Sequence, residues 1–163
     1  KGRSFMYKVF QIRISKEVSD YVNSNDRGHL GGEEKYPEYK AKMATMRGAE
    51  GFEGEMFNQY TQVCEVATFN TEGNHLEEVF KILNGYWYDD ETGKDTVFDE
   101  FVSGYKMKTV TRKNGEEVTF RDMHSLSVGD IVFDVNNDSY HIVDRWGFKD
   151  ITSDVIKGVE QVA

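Results

Sequence analysis

The stretch from residue 120 to 151, FRDMHSLSVGDIVFDVNNDSYHIVDRWGFKDI, restricts the possible folds more than any other part of the chain. Ser127-Val128-Gly129-Asp130 is a turn signal that leads into an alternating run, residues 131–135. Asn136-Asn137-Asp138 tolerates a left-handed backbone and can close a hairpin onto a return strand, residues 139–143. After a bend at Gly147, residues 148–151 read as a third strand. Such a meander buries Ile131, Phe133, Ile142 and Trp146 only where other elements cover one of its faces.

The rest of the chain supplies those elements. Residues 6–14 alternate, with Met6, Phe10, Ile12 and Ile14 on one face and Tyr7, Val9, Gln11 and Arg13 on the other. Ser15 is placed to cap a helix reaching about residue 23, striped by Val18, Tyr21 and Val22. Residues 23–34, with three glycines, read as a loop. Pro37 then opens a second helix with Tyr36, Tyr39, Lys40, Met43 and Met46 at helical spacing, stopping near Gly48. After a break at residues 48–54, residues 60–69 alternate as a strand. Asn74 and Glu77 form a capping box for a helix to residue 83 that buries Leu76, Val79, Phe80 and Leu83. A hairpin of residues 105–111 and 117–120 turns at Asn114-Gly115. Residues 152–163 read as a tail or short helix with Val155, Ile156 and Val159. The expectation is one α+β domain, a mostly antiparallel sheet with two or three helices packed on it. Residues 1–5 read as a vector-derived leader before a natural start at Met6, with no signal-peptide pattern.

A net charge of −9 and the absence of clustered Lys and Arg argue against direct nucleic-acid binding. No apolar run is long enough for a membrane span. The single cysteine, Cys64, excludes an internal disulfide and fits a reducing cytoplasm, where it reads as a small buried residue.

His124, Asp130, Asp138, His141 and Asp144 lie close in sequence and raise the question of a metal or acid–base site. No ligand spacing of a known kind links them, so neither a metal nor another cofactor is expected. Ser125, Ser127, Gly129 and Asp130 read as turn formers, and His124 as bonded to that turn. The acidic stretch 86–104 carries Asp89, Asp90, Glu91, Asp95, Asp99 and Glu100 with Trp87, Phe98 and Phe101. It lacks the alternating pattern of a calcium loop. Two readings stand: an interface for a basic partner, built on Trp87, Asp89, Asp90, Glu91, Asp95, Phe98 and Phe101, or rings that complete the core beneath a solvated acidic face.

Arg121, the run His124-Ser125-Leu126-Ser127-Val128-Gly129-Asp130-Ile131-Val132, Tyr140 and Gly147-Phe148 together resemble the C-terminal half of the YodL-like domain of bacteriophages and bacterial mobile elements. Tyr7 to Gln11, Tyr60 to Glu65, and Leu76-Glu77-Glu78-Val79-Phe80 with Asn84 resemble its two opening strands and its helix. The resemblance covers about residues 6–151. It departs in a longer spacer at residues 85–118, in one extra residue between Arg121 and His124, and in the helix at Pro37. It implies a small non-enzymatic accessory protein that binds a host protein in the bacterial cytoplasm, and it brings no catalytic residue. The alternatives are a small enzyme or ligand-binding protein using the His124, Asp130 and His141 region, and an acidic mimic of nucleic acid that blocks a host defence protein.

Overall fold

A computed structural model describes residues 5–68, 75–85 and 98–162. Its centre is a six-stranded antiparallel sheet. In chain order the strands are β1 (Phe5–Gln11), β2 (Thr61–Thr68), β3 (Val102–Ser103), β6 (Ile131–Asp134), β7 (Ser139–Val143) and β8 (Phe148–Asp150). Across the sheet they run β3-β2-β1-β6-β7-β8, and β4 (Met107–Thr111) with β5 (Glu117–Arg121) forms a separate two-stranded ribbon. The helices are α1 (Lys16–Ser24), α2 (His29–Lys35), α3 (Pro37–Thr45), α4 (His75–Leu83), α5 (Phe98–Phe101) and α6 (Thr152–Val162), with 3₁₀ turns at Gly48–Gly51 and Gly54–Gln59. The chain is a single α+β domain.

Both faces of the sheet are covered, where the sequence pattern asked for cover on one. Tyr7 and Val9 of β1 face α4, joining Val66, Val132 and Val143 beneath Val79, Ile82 and Leu83. Phe10 points the other way, into a cluster of Phe52, Ile131, Ile142, Ile151 and Val155 with Phe57, Tyr60 and Tyr140. A strand buried on both sides carries large side chains at successive positions, which is why the alternation of β1 names no single inner face. A third, smaller cluster joins α1 to α3 through Val18, Val22 and Tyr39.

Ser15 caps α1, its hydroxyl accepting from the Val18 amide at 3.3 Å, and Pro37 stands at the start of α3. The Asn74 cap lies outside the described residues. Within α4, Ile82 is buried, whereas Leu76 and Phe80 are only partly covered. Phe5, placed in the leader by sequence, is a strand residue paired with Thr68.

The loop expected at residues 23–34 contains α2. Its glycines serve contact, since a Cβ on Gly31 would fall 2.2 Å from Asn25 Oδ1 and one on Gly32 would fall 2.5 Å from Val22 Cγ2. The hairpin β4–β5 stands apart from the main sheet. Its turn is a three-residue loop in which Gly115 alone is left-handed (φ 86°) and its amide bonds to the Arg112 carbonyl at 2.9 Å. Trp146 is not buried: it is 93% exposed at the β7–β8 turn. Phe133 is half-buried. Ile156 and Val159 of α6 are exposed, because the helix faces the body through Val155 and Gly158 instead. Among the described residues, no helix is long and apolar enough to cross a membrane.

Candidate functional site

The turn that begins β6 is tied to distant strands by side chains. Asp130, 1% exposed, accepts through Oδ2 from the Ser127 amide (2.9 Å) and from Gln11 Nε2 (3.1 Å), with the Ser127 hydroxyl at 3.5 Å. Gln11, the last residue of β1, also donates from Nε2 to the His124 carbonyl (2.8 Å) and accepts the His124 amide at Oε1 (3.1 Å). One amide side chain therefore holds both the backbone at His124 and the carboxylate at Asp130. The Tyr60 hydroxyl donates to the Gly129 carbonyl at 2.5 Å. Gly129 has φ 96°, and a Cβ there would lie 2.6 Å from the Thr45 carbonyl oxygen, so no other residue fits.

Burial raises the Asp130 carboxyl above its ordinary range, opposed chiefly by His124 and by the Ser127 amide. His124 Nδ1 lies 2.8 Å from the Ser125 carbonyl oxygen and 3.7 Å from Asp130 Oδ2. Its Nε2 is enclosed and has no hydrogen-bond partner among the described residues. Burial likewise raises the Tyr60 phenol, and it pushes the Cys64 thiol up to about 12. At neutral pH that thiol is protonated, and it lies buried in the core.

The residues singled out by sequence divide into separate groups. His124, Ser127, Gly129 and Asp130 meet, with Ser125 at the exposed edge of the turn. His141 does not join them. Its Nε2 lies 2.8 Å from the Ser139 hydroxyl, and it lines a different cavity of about 420 Å³ with Phe5, Tyr7, His75 and Asp134. Asp138 adopts the left-handed turn conformation (φ 52°), and Asp144 accepts from the Ala49 amide at 3.3 Å. Among the described residues no three His, Cys, Asp or Glu side chains come together as a metal site.

Of the acidic stretch, Trp87, Asp89, Asp90, Glu91 and Asp95 lie outside the described residues. Phe98 is 5% exposed, inside the core, and Phe101 packs partly buried against it. The Phe98 ring carries the Arg121 guanidinium 3.8 Å from its centre. It therefore completes the core and cannot act as an exposed anchor.

What sequence reasoning missed is a groove of about 340 Å³ beside the turn. Leu126, Val143 and Phe148 line its apolar part, Phe80 of α4 forms one wall, and Ser127, Asp144 and Arg145 carry its polar groups. Trp146, between the lining residues Arg145 and Gly147, itself lines a neighbouring cavity of about 600 Å³ with Arg47, Ala49 and Glu50. No local pattern in the sequence marks this groove, which α4 and β8 form only on meeting the turn. No family model, no curated protein and no solved structure matches this chain.

Proposed function

We propose that the protein acts by binding another protein, with the groove beside the β6 turn as its docking surface and Trp146 as the anchor. This agrees with the resemblance to the YodL-like domain and with the expected role of a phage or mobile-element accessory protein directed at a protein of the bacterial host cytoplasm. The observation that carries the reading is Trp146, 93% exposed on the β7–β8 connection between Arg145 and Gly147, two residues that line the groove. Large exposed aromatics next to a concave apolar surface are where binding energy concentrates.

Trp146→Ala should leave stability within about 0.5 kcal/mol of the parent, because the ring contributes almost nothing to the core. It should weaken partner binding by about 2 kcal/mol or more, roughly thirtyfold. Phe80→Ala should weaken the same complex. The test retains a partner from host lysate on the parent chain and then measures its affinity for both variants. Undiminished affinity in both would move the interface away from the groove.

A further inference from the structure

The β4–β5 ribbon carries charge of the opposite sign to the rest of the molecule. Residues 105–121 hold Lys106, Lys108, Arg112, Lys113 and Arg121 against Glu116 and Glu117, a surplus of three positive charges on a chain of net −9. The whole-chain balance that argues against nucleic acid conceals this surplus. The register then sorts the side chains. Lys106, Lys108, Val110 and Arg112 share one face of β4. Phe120 stands opposite Lys108 on β5, and Val118 stands opposite Val110. Of the acids on that face, Glu116 lies opposite Arg112, and Asp122, opposite Lys106, is held by Arg13 at 2.8 Å. Among the described residues, Lys106, Lys108, Arg112 and Lys113 form no ion pair. All of β4 is exposed, and Phe120 is 41% exposed.

A two-stranded hairpin alone is only marginally stable, but this one is clamped at its base. Arg121 stacks on the buried Phe98, Asp122 pairs with Arg13, and the Tyr105 hydroxyl donates to Asp99 at 2.6 Å. The arm is thus held out from the body with its cationic face open.

We infer that this face binds single-stranded nucleic acid, the phosphates following β4 and a base stacking on Phe120. Alternate residues of a strand are about 7 Å apart, comparable to successive phosphates of an extended single strand. A cationic track beside an exposed aromatic ring is the arrangement by which proteins hold single strands without reading sequence. An acidic polypeptide could meet the same cations but has no need of Phe120, and this separates the two ligands.

The test is fluorescence anisotropy of a short labelled oligothymidylate with the full chain, at low and at moderate salt. Lys108→Glu and Arg112→Glu should each weaken binding about tenfold at low salt and lower the slope of log K against log salt by about one. Lys113→Glu, in the turn, repeats the charge reversal without touching a paired residue. Phe120→Ala should weaken binding about tenfold and leave the slope unchanged. Trp146→Ala should have no effect, which keeps this site distinct from the groove. The inference is overturned if the parent chain does not bind at low salt, if Phe120→Ala binds as tightly as the parent, or if poly-glutamate displaces the oligonucleotide at equal charge.

Discussion

Gly158→Ala lowers stability by about 2–3 kcal/mol, although helix propensity alone would have it raise stability by about 1 kcal/mol. The sign is decided by the contact between α6 and the 3₁₀ turn at Gly54–Gln59. A Cβ on Gly158 would fall 2.0 Å from the Gly54 carbonyl carbon and 2.4 Å from the Glu55 amide nitrogen, and both belong to backbone that no rotamer change can move. The reverse contact is as close: a Cβ on Gly54 would fall 1.9 Å from the Asp154 carbonyl oxygen. Either substitution pushes α6 outward and withdraws Val155 and Ile151 from the Ile131–Ile142 cluster. Thermal denaturation should show a midpoint about 5–10 °C lower for Gly158→Ala, while Ser153→Ala, on the exposed side of α6, leaves it unchanged. A more stable Gly158→Ala protein would mean that α6 does not rest on this turn.

Gln11→Ala should cost about 3 kcal/mol at neutral pH, and less as the solution is acidified. The substitution removes a donor from the buried Asp130 carboxylate and strips both backbone partners from His124, each loss costing about 1–3 kcal/mol in a buried site. The pH dependence follows from the direction of the Asp130 shift. Its carboxyl is raised in the fold, so the folded state holds its proton more firmly than the unfolded chain. The stability tied to that proton is present below the unfolded value and is lost as pH rises through the folded one. Gln11 Nε2 is one of the groups that restrain this rise, and removing it enlarges the penalty on the ionised form. The difference in unfolding free energy between parent and Gln11→Ala should therefore shrink between pH 7 and about pH 4. An equal difference at both pH values would show that Gln11 acts on the His124 backbone alone.

How much of the fold is legible in the sequence depends on the reach of each interaction. The Ser15 cap, the alternation of β1 and β2, and the β6–β7 hairpin were legible because their causes lie within a few residues of one another. The glycines of α2 were misread, since the same residue that permits a turn also permits a close approach, and only the neighbour at Asn25 or Val22 tells them apart. Trp146 was expected to be buried with the meander, whereas its place in the four-residue connection between β7 and β8 leaves it outside. In the site, Asp130 and His124 could be picked out as members of one turn. Their partners could not. Gln11 and Tyr60 reach the turn across 113 to 119 and 69 positions, respectively, by way of a strand register that no local pattern encodes. The groove beside them is likewise made by α4 and β8 meeting the turn, and neither element advertises the other.

The place of β1 between β2 and β6 also sets the order in which the molecule can be made. As the chain leaves the ribosome, β1 meets β2 once residue 68 has emerged, but its second edge must wait until Asp134 comes opposite Tyr7. At ordinary synthesis rates that delay is on the order of ten seconds. Throughout it, the strand destined for the centre of the sheet offers an open row of amides and carbonyls beside the apolar side chains of Tyr7, Val9 and Phe10. A nascent chain halted before β6 therefore presents a template for pairing with its neighbours, and the completed chain hides it. Overproduction should accordingly yield its insoluble fraction from incomplete chains first, with solubility restored once residues 131–134 are included.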